Sequence, residues 1–153
     1  MSALEHLVVF TLDGQRYALY LPVVERVVRA VEVTPLPKAP EIVLGVINVQ
    51  GRIVPVVNMR KRFRLPEGEL KLGDQIVIAR TSRRAVALVV DAVSGVMQVS
   101  EKDFVSPKQI VPGTEYIEGV VKLEDGLVLI YDLDQFLSLD EERTLDTSLN
   151  ANG

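Results

Sequence analysis

The sequence predicts an all-β fold, either a sandwich or small barrels, and three observations carry that expectation. Valine and isoleucine crowd a chain of 153 residues that is 48% hydrophobic, and β-branched side chains pack well on a pleated surface. The apolar runs are short and are separated by turn signals, Asp13-Gly14 and Asp125-Gly126 among them. Gly45, Gly95 and Gly119 lie beside or inside these runs, where a barrel needs sharp bends. A chain of this length buries roughly two-thirds of the surface its unfolded form exposes. Residues 1–139 are therefore expected to form one domain, and the polar stretch 140–153 a disordered tail.

The elements follow in order. Leu7–Leu12 and Tyr17–Leu21 flank Asp13-Gly14, which predicts an opening hairpin because glycine accepts positive φ cheaply. Val23, Val24, Val27 and Val28 recur at helical spacing and predict a short helical turn, although a twisted strand fits the same residues. Pro35, Pro37 and Pro40 make 34–40 a stiff connector. Leu44–Val49 and Ile53–Met59 form a second hairpin around Gln50-Gly51-Arg52, with Pro55 pointing to an edge strand or a bulge. Gln75–Ala79 and Ala85–Val93 pair around Ser82-Arg83-Arg84. Val96–Val99 continues the β pattern, and Tyr116–Leu123 and Leu127–Tyr131 close a last hairpin before a short helix over Asp132–Leu139.

Catalysis finds little support. There is no cysteine, so thiolate chemistry and disulfides are excluded, and the single histidine, His6, has no second soft ligand with which to hold a metal. Asp125, Asp132 and Asp134 lack the spacing of a calcium loop; a turn accounts for the first and helix capping for the other two. No phosphate-binding loop or dinucleotide fingerprint occurs, and no catalytic residue, metal or cofactor is expected. A formal charge of −4 disfavours nucleic acid and anionic membranes. The basic clusters Arg60-Lys61-Arg62-Arg64 and Arg80-Arg83-Arg84 read as solvated surface, or else as a dock for an acidic protein. Met1–Glu5 carries no positive cluster and no apolar run is long enough for a signal or a membrane span, so a cytosolic protein without membrane insertion is expected.

Leu36-Pro37-Lys38-Ala39-Pro40, Ile42, Gly45-Val46-Ile47-Asn48-Val49-Gln50-Gly51 and Ile53-Val54-Pro55-Val56-Val57-Asn58-Met59-Arg60 together resemble the signature of the CheW-like family. The likeness extends to Phe10–Leu21, to Leu88–Val93, and from Tyr116 to Leu133. It implies two small five-stranded SH3-like barrels with short helical segments. It also implies a non-enzymatic adaptor that joins the cytoplasmic tips of methyl-accepting chemoreceptors to a CheA-type histidine kinase. A related role in a non-flagellar chemosensory pathway, such as twitching motility, is the alternative.

An adaptor of this kind offers an apolar groove to a helical receptor tip and other surfaces to the kinase. The partner-binding candidates are Val24, Arg26, Val27, Val28, Ile47, Asn48, Val49, Gln50, Arg52 and Asn58, with barrel core as the competing explanation for the valines and Ile47. The chain departs from the family pattern at three of them. Arg26 stands where the family often has an acidic residue, Gln50 where it has arginine, and Asn58 where it has aspartate. Gln50 lacks the charged multi-donor fork of arginine, for which Arg52 could substitute. The reversed charge at Arg26 favours a diverged partner.

Overall fold

Two antiparallel-rich sheets make up the computed structural model, which describes residues 4–29, 32–63, 65–66, 74–105, 117–135 and 139–152. The first sheet runs β8-β1-β2-β11-β10-β9, from β1 (Leu4–Leu12), β2 (Gln15–Tyr20), β8 (Ala92–Ser100), β9 (Phe104–Val105), β10 (Ile117–Leu123) and β11 (Gly126–Tyr131). The second runs β3-β6-β7-β5-β4, from β3 (Val24–Arg29), β4 (Val43–Val49), β5 (Arg52–Val57), β6 (Gln75–Arg80) and β7 (Ala85–Val90). Two α-helices, α1 (Met59–Arg62) and α2 (Leu139–Asn152), and three 3-10 turns complete the described elements.

The apolar runs on both faces of the central strands are explained by three cores. Leu7, Val9, Ala18, Val99, Val121, Val128 and Ile130 gather within the first sheet. Ile47, Val49, Val54, Val56, Ile76, Ile78 and Ala87 gather within the second. The alternate residues of the same strands, Phe10, Leu12, Tyr17, Leu19, Val77, Ala79, Val86, Leu88 and Val90, form a third core shared by the two sheets. Each sheet thus curls around its own core and packs its other face on its neighbour, which leaves no polar face for β1, β2, β6 and β7. Phe63 and Tyr131 stack 4.3 Å apart in this shared core, with Tyr17 5.1 Å from Tyr131. Burial, with Tyr17 beside it, drives the Tyr131 phenol far above its ordinary range, so it stays protonated.

The curling is set at bulges. Ladder registers shift between Val43 and Gly45, between Ile117 and Gly119, and opposite Gly95, the three glycines expected to bend strands. Gly45 is the most constrained. Its φ is +156°, and a β-carbon there would lie 2.3 Å from the Thr34 carbonyl oxygen. That proximity lets Thr34 pair with Val46, its N–H donating to the Val46 carbonyl at 2.9 Å, so the proline-rich connector covers the free side of β4.

Some expectations need correction. The helical turn is confined to a 3-10 turn at Leu21–Val23, and Val24–Arg29 is a strand, because β-branched valines pair readily with β6. Met59 belongs to α1 rather than to β5. Pro55 lies on an interior strand. Val46 spends its N–H and carbonyl on Thr34, so its opposite residue Pro55 needs no donor toward β4, and the β5–β7 ladder begins only at Val56. After Asp132 there is a 3-10 turn, Leu133–Gln135; residues 136–138 of the expected helix lie outside the described residues.

The polar terminus expected to be a disordered tail is instead the helix α2. Leu145 is fully buried in the shared core with Leu149 packed against it, and two leucines a single turn apart in an otherwise polar segment gave too faint a periodicity to read.

Candidate functional site

The site forms where an edge strand meets a hairpin turn. β3 borders the second sheet, and its ladder to β6 skips a register between Val24 and Arg26, leaving Glu25 as the extra residue of a bulge. In a regular strand, neighbours 25 and 26 would point to opposite faces; the bulge allows both to reach the same place. That place is the β4–β5 turn, where Gln50 (φ +50°) and Gly51 (φ +86°) have the paired positive φ values of a two-residue hairpin. Asn48 Oδ1 accepts from the Gly51 N–H at 2.8 Å and fixes the turn.

Across the gap between β3 and this turn run polar side-chain contacts. Arg26 Nη2 donates to Gln50 Oε1 at 3.2 Å. Arg52 Nη2 donates to Glu25 Oε2 at 2.6 Å, and Arg80 Nη1 lies 3.9 Å from the other Glu25 oxygen. The hydrogen bond and charge of Arg52 hold the Glu25 carboxyl below its usual range. The result is an exposed patch with three arginines around one carboxylate, and its chemistry is recognition by charge and hydrogen bonding.

Of the ten predicted residues, Arg26, Gln50 and Arg52 come together here, with Asn48 supporting the turn. Val27 is exposed on β3 while Val24 and Val28 are half-buried, one against the shared core and the other against the second sheet's own core. Ile47 and Val49, 2% and 7% exposed, belong to that core, since alternation turns them inward from the exposed Asn48 and Gln50. Asn58 is set apart: it caps α1, its Oδ1 accepting from the Lys61 N–H at 3.1 Å.

Three residues of the patch lay outside the ten, and one of them, Arg80, was read only as part of a basic cluster. Glu25 organises the arginines, and Ile53, 57% exposed, lies directly opposite Asn48 on the outward face of the hairpin. Alternation across the Gln50-Gly51 turn would have found Ile53. A bulge leaves no mark in the sequence that would have found Glu25.

The basic clusters are largely engaged within the chain. Arg60 pairs with Asp91 at 2.6 Å, Lys61 with Glu41 at 3.4 Å, Arg62 with Glu141, and Arg84 with Glu142 at 3.0 Å and with Asp146. Arg64 lies outside the described residues. The aspartates are engaged too: Asp125 pairs with Arg16 at 2.9 Å, Asp132 Oδ1 accepts from the Asp134 N–H, and Asp134 Oδ1 accepts from the Ser82 N–H at 2.6 Å. No cluster of metal-ligating side chains occurs among the described residues, and no helix among them is long and apolar enough to cross a membrane. His6 is exposed on β1.

Comparison with known proteins agrees with this architecture. The family model described as a CheW-like domain matches residues 6–141. The chemotaxis protein CheW of Treponema pallidum is 32% identical over 145 residues, covering 91% of this chain and 85% of that protein. CheW of Thermotoga maritima is 33% identical over 128 residues, 84% of each chain. The crystal structure of the scaffolding protein TtCheW from Thermoanaerobacter tengcongensis superposes with a TM-score of 0.82 at 29% identity, covering 91% of this chain and 96% of that one. The chain therefore belongs to the CheW-like family, the non-enzymatic scaffolding adaptors of chemotaxis.

Proposed function

We propose that this adaptor couples the cytoplasmic tips of methyl-accepting receptors to a CheA-type histidine kinase, acting in the cytoplasm at receptor arrays. The observation that carries the reading is the contact between the bulged edge strand β3 and the β4–β5 turn, where Glu25, Arg26, Gln50 and Arg52 meet on the strand that also carries exposed Val27. A receptor tip is a helical hairpin, and a helix docks through apolar anchors flanked by charge. Val27 and the half-buried Val24, on one face of β3, supply the anchors, and the three arginines around Glu25 favour an acidic flank on the helix. Family membership supports the adaptor role, and the positive charge of Arg26 favours a receptor with an acidic surface there.

The test is co-sedimentation of the chain with a receptor cytoplasmic fragment and the kinase from the same organism. A ternary complex that loses the receptor, but not the kinase, on Val27→Asp supports the assignment. Failure of the chain to sediment with both partners contradicts it.

A further inference from the structure

Most of α2 lies beyond the segment matched by the family model, which stops at residue 141, and the helix is held by a repeating pattern of contacts. Glu142 and Asp146, one helical turn apart, both pair with Arg84, while the preceding Glu141 pairs with Arg62. Leu145 and Leu149, also four residues apart, enter the shared core, and Ser148 Oγ donates to the Lys38 carbonyl at 2.9 Å. The Arg62 and Arg84 side chains are each only 15% exposed. The surface beneath α2 is thus an apolar floor with two positioned guanidinium forks, each suited to a carboxylate.

The helix that covers it is intrinsically weak. Half of its 14 residues are Thr, Ser, Asn or Asp, which are poor or middling helix formers. An isolated helix of that length is marginal in water even with good formers. Its helicity therefore depends on docking, and part of the docking is electrostatic.

We propose that α2 is a displaceable plug, and that the groove beneath it docks an acidic amphipathic helix of another protein. The competing helix carries carboxylates four residues apart for Arg84 and leucines four residues apart for the floor, as α2 does. Tethering gives α2 an effective concentration in the mM range, so the groove is closed to weak competitors and opens only to a better-matched helix. This surface uses none of the residues of the β3 site, so its failure would leave the receptor reading intact.

The probe is a fluorescent synthetic peptide spanning residues 139–152, titrated by anisotropy at low salt into the full chain. In E142K/D146K, where α2 is repelled by Arg84, α2 amides should exchange at least tenfold faster. The peptide should then bind at least tenfold more tightly than to the wild-type chain, and the binding should weaken with salt. Adding Arg84→Glu should restore α2 protection in cis and abolish peptide binding. If E142K/D146K does not retain its sheet protection, the milder E142Q/D146N gives the same readouts. Unchanged α2 exchange, release of α2 without gain in peptide binding, or equal binding after Arg84→Glu would each overturn the proposal.

Discussion

Arg26 on the edge strand and Gln50 in the β4–β5 turn are hydrogen bonded to each other, the guanidinium donating to the amide oxygen at 3.2 Å. An acidic residue and an arginine at the same two places would form an ion pair across the same gap. Gln50→Arg alone places two guanidiniums face to face and should destabilise the fold, whereas Arg26→Glu with Gln50→Arg should recover it. A double-mutant cycle by urea denaturation is expected to give a favourable coupling of about 0.5–1 kcal/mol, as for exposed pairs in good geometry. A coupling of zero would mean that the contact is incidental.

The neighbouring pair predicts a pH dependence. Arg52 holds the Glu25 carboxyl below its ordinary range in the folded state. Its contribution to stability is therefore present above the unfolded-state carboxyl pKa and is lost as pH falls through the depressed folded value. Thermal denaturation should find Arg52→Gln less stable than the parent at pH 7, with the two Tm curves converging in acid. A constant offset at all pH values would contradict this origin.

Asn58 was a candidate for partner contact, yet its side chain caps α1. Asn58→Ala should cost about 1 kcal/mol of stability, the usual loss for a helix N-cap. Receptor and kinase affinities, measured by calorimetry well below Tm, should remain within twofold. A tenfold loss of affinity with stability unchanged would return Asn58 to the interface.

Gly45→Ala is expected to be severe. The new methyl would lie 2.3 Å from the Thr34 carbonyl oxygen, at a φ that L residues rarely adopt. A loss of more than about 2 kcal/mol should follow, with faster hydrogen exchange at the Val46 amide, which donates to Thr34. Near-normal stability would show that the connector yields easily.

The hairpins were legible because their turns carry their own chemistry: Asp13-Gly14 and Gln50-Gly51 occupy positive φ, and the apolar runs beside them have nowhere to go but into sheets. The bends at Gly45 and Gly95 were legible for the same reason, both having positive φ, and Gly119 marks a register shift without it. The valines of β3 were not, since β-branched residues at i, i+3 and i+4 fit either period until a partner strand decides. The site was half legible. Arg26, Gln50 and Arg52 were named because family resemblance pointed to them, but their contacts depend on the bulge at Glu25, which exists only once β3 meets β6. The docking of α2 was hidden because it rests on contacts between residues some 60 to 110 positions apart, such as Arg84 with Glu142 and Lys38 with Ser148.

The most direct test of the adaptor account is chemical-shift mapping of the isotope-labelled chain, first with a receptor tip fragment and then with the kinase regulatory domain added. The account predicts receptor-dependent shifts over Val24–Arg29 and the Gln50–Ile53 turn. Addition of the kinase should perturb a second, separate set of residues while the first persists. Receptor shifts that spare both segments, or displacement of the receptor by the kinase, would contradict it.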